Sequence, residues 1–276
     1  MASQETHGRK VRLITDASFR FTHAITRTPP RSVVAGLRAE DHGDPEIAAL
    51  IEHHRLYVQA LRDAGLEVTT LEALEEFPDS LFVEDTALCL PEVAVILRPG
   101  APTRAGEAAA MAPALASLYR NVVELVGPGT IEGGDILTTG SEVMVGLSER
   151  TTSAGVAELA QVLAPFGYVV TAVETPEGVL HFKTECSLLD ATTVLATRQL
   201  AASGAFANYT VIEAEPGEEA AANSIRVNDV VFMPQGYPRT SARVRAAGFD
   251  VVELPNSECH KIDGGLSCLS LRFSPS

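Results

Sequence analysis

Ser241-Ala242-Arg243-Val244-Arg245-Ala246-Ala247, then Val251-Val252-Glu253-Leu254, then Asp263-Gly264-Gly265-Leu266-Ser267-Cys268 is the stretch that decides the fold. Its first part carries helix formers. Its second is a short β-branched run of strand length, and its third is a glycine-rich turn. Val230 to Met233 reads as the strand before the helix, and Leu269 to Phe273 as the strand after the turn. The unit is therefore strand, helix, strand, strand.

Working outward, the same order recurs. Val93-Ala94-Val95-Ile96-Leu97 reads as a buried strand, residues 106–120 as a helix despite Pro113, and Val122 to Val126 as a second strand. A glycine-rich turn then leads into Ile136-Leu137. Val143 to Gly146, the helical pattern 154–164, the strand Tyr168 to Val173 and a loop reaching Val179-Leu180-His181 make another copy, and Thr193 to Thr197 opens one more. At the N-terminal end, a helix near 46–64, Val68 to Leu71 and Phe82-Val83-Glu84-Asp85 complete the fifth, with Arg20 to Thr28 as a further strand. The expected fold is α/β, a five-bladed propeller with pseudo-fivefold repetition of a ββαβ unit, in a single domain spanning 1–276, with the polar start 1–10 disordered.

One residue per unit falls where the last loop meets its strand: Glu84, Glu132, His181, Asn223 and Cys268. By subtraction the steps are 48, 49, 42 and 45 residues, within the range of propeller-like repeats. Equivalent positions of a circular array converge on its axis, so an acid, a second acid, a histidine, an amide and a cysteine are expected to face one another there.

The whole-chain properties narrow the chemistry. A formal net charge of −15 repels phosphate backbones and anionic lipid, which argues against nucleic acid and membrane as partners and for a small cationic ligand. No apolar run is long enough to span a bilayer and no secretory leader is visible at the N-terminus. Four cysteines without a C-x-x-C pair read as reduced thiols, placing the protein in the cytoplasm. Gly127-x-Gly129 is not a dinucleotide loop, because Glu132 occupies the third glycine position.

An isolated cysteine in an apolar strand is ordinarily a small buried hydrophobe, and Cys89 and Cys186 are read so. Cys268 differs by its phase with His181, the only histidine between positions 54 and 260; a thiol nucleophile with a nearby acid–base group is the implied pair. Glu132, set between Ile131 and Gly133, must be paired to stay ionised, by a guanidinium or by His181. Asp79, Glu84 and Asp85 flank an apolar strand, and at its inner end they suit a planar cation with several N–H donors. Arg98 and Arg150 each end a blade's first strand, where they suit a substrate carboxylate, although either alone reads equally as a surface arginine.

These residues resemble the dimethylarginine dimethylaminohydrolases of the guanidine-modifying (pentein) superfamily. The likeness runs from Thr26-Arg27-Thr28-Pro29 to Leu271-Arg272-Phe273. It is most specific in Asp79 to Asp85, Ile96 to Ala101, Leu180 to Lys183, Gln235 to Thr240 and Lys261 to Cys268. The resemblance implies a five-bladed propeller without metal or organic cofactor, with Cys268 as nucleophile, His181 as general acid and base, and Glu132 as third catalytic residue. It further implies that Asp79, Glu84 and Asp85 hold the cationic ends of a methylated arginine. Arg98 and Arg150 would then grip its carboxylate, Leu37 would belong to a mobile closing loop, and Thr184 and Asp263 would line the pocket. Glu149-Arg150-Thr151-Thr152 departs from the relatives in lacking the Asn that often follows Arg-Thr. Arginine deiminase is the enzymatic rival, and agmatine deiminase a weaker one that would leave both arginines without a carboxylate. A non-catalytic pentein-fold binding module is the rival of another class. Oligomeric state, monomer or homodimer, is left open.

Overall fold

The computed structural model describes residues 15–39, 41–176 and 178–276; the expected disorder of residues 1–10 lies outside them. The hydrophobic runs form five three-stranded sheets. The first joins β1 (His23–Arg27) to β2 (Glu67–Leu71) through α1 (Ile47–Asp63). The second contains β3 (Ala87–Leu90), β4 (Val93–Ile96), α2 (Ala105–Ala116) and β5 (Val122–Glu124). The third contains β6 (Ile136–Thr138), β7 (Val143–Leu147), α3 (Ser153–Leu163) and β8 (Val170–Glu174). β9 (Cys186–Leu188), β10 (Thr193–Ala196), α4 (Arg198–Ala202) and β11 (Thr210–Glu213) make the fourth, and β12 (Ile225–Val227), β13 (Val230–Pro234), α5 (Pro238–Ala246) and β14 (Asp250–Leu254) the fifth. α6 (Ser257–His260) follows, and β15 (Leu271–Phe273) ends the chain's regular structure.

Every sheet has one antiparallel hairpin pair and one parallel pair bridged by a helix, as a strand–helix–strand crossover requires. The first sheet borrows its hairpin partner from the far end of the chain: β15 pairs antiparallel with β1, with His23 opposite Phe273. The expected five-unit α/β propeller is thus the observed architecture. Middle strands β4 and β10 are buried at every position, because helices cover one face and neighbouring blades the other. α1 places Leu50, Tyr57, Val58 and Leu61 in the core, where truncating a leucine to alanine costs about 2–5 kcal/mol.

Two details differ from the sequence reading. α2 ends at Ala116 rather than near 120, and Leu118 and Tyr119 continue as a turn bonded back to Leu115. Phe82 to Asp85 is not strand: Val83–Thr86 forms a single 3₁₀ turn, closed by Thr86 Oγ1 donating to Val83 O at 2.7 Å, and β3 starts at Ala87. Short 3₁₀ turns also precede the corresponding strands at Gly133–Asp135, Phe182–Thr184, Glu219–Ala222 and Ser267–Leu269. The first four touch in that order, and the turn at Ser267–Leu269 touches the one at Val83–Thr86. Ser267 N donates to Asn223 Oδ1 at 3.0 Å, closing the ring. The five in-phase residues therefore stand around one axis because each sits on or beside one of these turns.

Candidate active site

A cavity of about 240 Å³ opens on one side of this ring, lined by Cys268, His181, Asp85, Asp79, Arg104 and Arg150 among others. Cys268 lies in the turn between Gly264-Gly265 and β15 and is partly buried. Close packing dictates the glycine at 265: a Cβ there would stand 2.1 Å from the Asn223 amide. Burial, then the nearby carboxylates of Glu84 and Asp85, push the Cys268 thiol up to about 12. The resting group is a thiol, and a cation brought beside it would shift it toward thiolate.

His181 Nε2 donates to Glu132 Oε2 at 2.6 Å. Glu132 is fully buried, and its other oxygen accepts from Gly100 N at 2.8 Å and from Ala101 N at 3.3 Å. That resolves the open choice at Glu132 in favour of His181, with the Arg150 guanidinium more distant at 3.7 Å. Burial pulls the imidazole down, but Asp85, Glu132 and Asp135 outweigh it and hold His181 up at about 9. Gly134 allows this approach, since a Cβ there would stand 2.7 Å from the His181 ring.

Asp85 accepts from Gly134 N at 2.8 Å and from Arg104 Nη1 at 2.5 Å. Burial raises its carboxyl, yet His181 and Arg104 prevail and hold it near 2. Asp79 Oδ1 accepts from Leu37 N at 2.9 Å, and Asp263 Oδ2 accepts from Ala39 N at 2.5 Å. Two carboxylates thus pin the segment carrying Leu37 over the cavity mouth. Asp263 does so from a left-handed backbone (φ 57°).

Not every expected residue reaches this cavity. Arg98 donates to Leu125 O at 2.8 Å and to Gly129 O at 3.1 Å, so its guanidinium is engaged by backbone and stands off the site. Glu84 turns to the opposite side of the ring, where Lys183 Nζ, Arg272 Nη2 and Ser267 Oγ meet it at 2.7, 3.1 and 2.8 Å. Thr184 lines a neighbouring cavity with Asn223, Tyr237 and His260. Arg104, which the sequence reading passed over, lines the cavity instead. The spacing of Arg104 and Glu107 at the start of a helix was the available signal, visible once α2 is known to begin at Ala105.

Asp85, Glu132 and His181 hold ligand-type atoms within 4.8 Å of one another. Those atoms are already taken up by Arg104, by the backbone at Gly100 and Gly134, and by the His181–Glu132 bond, so this donor set fits a hydrogen-bonded acid–base group rather than a metal centre. The other three cysteines are unpaired, and burial raises all three thiols.

A sequence model of the arginine deiminase family matches residues 74–231. The chain is 41% identical over 254 residues to an N(G),N(G)-dimethylarginine dimethylaminohydrolase of Pseudomonas aeruginosa, covering 92% of this chain and 100% of that one. The chain belongs to the dimethylarginine dimethylaminohydrolases. A structure of the Pseudomonas aeruginosa dimethylarginine dimethylaminohydrolase complexed with citrulline superimposes with a TM-score of 0.90 at 39% identity, again over 92% and 100% of the two chains. Another dimethylarginine dimethylaminohydrolase structure, an adduct with S-methyl-L-thiocitrulline, gives 0.89 at the same identity and coverage. Among the described residues no helix is long and apolar enough to cross a membrane.

Proposed function

We propose that this protein hydrolyses Nω-methylated L-arginines, asymmetric dimethylarginine and monomethylarginine, to L-citrulline and the corresponding methylamine. The observation that carries this reading is the convergence of Cys268, the His181–Glu132 pair and Asp85 on one cavity, in a chain alike over its whole matched length to the Pseudomonas enzyme.

The steps follow from the geometry. The substrate guanidinium enters beside Asp85 and brings a positive charge next to a thiol that burial, and then the carboxylates of Glu84 and Asp85, otherwise hold protonated. The thiolate so favoured, its proton released to solvent as the substrate cation enters, attacks the guanidinium carbon, forming the C–S bond. His181, protonated at neutral pH because it is held near 9, gives its proton to the departing amine nitrogen as the C–N bond breaks. An S-linked amidino cation remains on Cys268. The now neutral His181 takes a proton from water, whose oxygen adds to that carbon, and C–S cleavage returns the thiolate and releases citrulline. Glu132 holds the imidazole and balances its charge.

Asp79 and Asp263 receive the substrate's ammonium end under the Leu37 segment. Arg104 and Arg150 meet its carboxylate in place of the expected pair Arg98 and Arg150. No step draws on a metal or organic cofactor. The chain works as one domain, a reading supported by the return of β15 from the far end of the chain to pair with β1. Its unpaired thiols suit the reducing cytoplasm.

Purified protein incubated with asymmetric dimethylarginine, and separately with arginine, tests the reading by assay of citrulline and the released amine. Citrulline with dimethylamine, and little product from arginine, is the expected result. Citrulline and ammonia from arginine alone would make the protein a deiminase, and no product from either would favour the binding module.

A further inference from the structure

We infer that Glu107 is a positioning residue that sets the substrate-carboxylate contact by fixing the guanidinium of Arg104. The inference rests on the proposed methylarginine hydrolase reading and deepens it.

A guanidinium has five N–H donors in one plane. In Arg104 the Nε donor goes to Glu107, at 3.2 Å from Oε1 and 3.1 Å from Oε2. The two on Nη2 go to Glu107 Oε2 at 2.8 Å and to Phe82 O at 2.9 Å. One on Nη1 goes to Asp85 Oδ2 at 2.5 Å. One N–H on Nη1 is left, and Arg104 lines the cavity. The two-point contact to Glu107 fixes the plane of the guanidinium and hence the direction of that last donor.

Glu107 is suited to the task by its place. It lies in the first turn of α2, where the helix dipole favours a carboxylate. The same helix buries Ala108, Met111 and Leu115 against the core, so its backbone cannot drift. Glu107 itself is 2% exposed and does not line the cavity, so it reaches substrate only through Arg104.

The test compares two substrates in the full-length enzyme. One is asymmetric dimethylarginine; the other is its decarboxylated analogue, a dimethylated guanidinobutylamine with nothing for Arg104 to hold. Glu107→Gln keeps the shape but loses the charge, and the amide nitrogen faces the guanidinium. The expected result is a KM for dimethylarginine raised roughly ten- to hundredfold with kcat changed far less, the scale of a misplaced binding group. Turnover of the decarboxylated analogue should differ from wild type by less than about twofold, since its transition state never meets the carboxylate contact. Glu107→Asp, which keeps the charge, should recover part of the KM and serves as the test if the glutamine variant does not fold by circular dichroism. Equal losses on both substrates, or an unchanged KM for dimethylarginine, would overturn the inference while leaving the hydrolase reading in place. Absence of wild-type turnover on dimethylarginine would overturn both.

Discussion

Glu84 and Asp85 are chain neighbours on one 3₁₀ turn, yet they serve opposite sides of the ring. Asp85 faces the cavity with Cys268 and His181, held by one backbone N–H and one guanidinium. Glu84 faces the other side, beside a smaller cavity of about 100 Å³, with Lys183, Arg272 and Ser267 on its two oxygens. Arg272 also donates to Ser267 O and Ser270 O, so this knot braces both sides of the Cys268 turn from beneath. Two like side chains one residue apart thus divide between the cavity and the scaffold. What separates them is the direction each leaves the turn and whether their hydrogen-bonding capacity is already filled.

Substitutions at the two positions should separate these roles. Asp85→Asn removes the charge that meets the substrate cation and supports the His181 proton; kcat/KM for dimethylarginine should fall roughly a hundredfold or more, with the loss measured by initial rates. Glu84→Gln should act chiefly on the fold. Leaving Lys183 and Arg272 without their buried anion costs about 3–5 kcal/mol, read as a lower denaturation midpoint with KM within about threefold of wild type. A Glu84→Gln variant of native stability and severely raised KM would break the comparison and restore Glu84 to the substrate.

A further expected effect concerns the thiol. With Cys268 pushed up to about 12, its thiolate fraction in the free enzyme rises about tenfold per pH unit well below that value. Alkylation of Cys268 by iodoacetamide should therefore keep climbing from pH 7 to pH 9, and a plateau below pH 8 would show that burial and the carboxylates do not hold the proton on sulfur.

Much of this arrangement was readable from the chain. The five-unit repeat survives in the sequence because each blade needs the same buried middle strand and the same turn, and spacing alone brought Cys268, His181 and Glu132 into phase. The side of the ring each residue faces was not readable, since period-two and helical patterns say nothing of an irregular one-turn segment such as Val83–Thr86. Glu84 and Asp85 were accordingly grouped together. A strand-closing position points to Arg98 and passes over Arg104, which precedes the next helix and lines the cavity; only the course of Pro99 to Thr103 separates the two. Glu107 offered no sign beyond its spacing from Arg104, because a glutamate in a helical run reads as solvated surface until its burial is seen.

The account turns on a covalent bond at Cys268. The protein would be mixed with asymmetric dimethylarginine, quenched in acid during turnover and digested for peptide mass mapping, using wild type and His181→Gly, in which loss of the acid–base group should slow breakdown of the adduct. An amidino adduct on the Cys268 peptide that disappears in Cys268→Ser, together with loss of citrulline formation in that variant, is the predicted result. Ordinary citrulline production by Cys268→Ser would contradict the account.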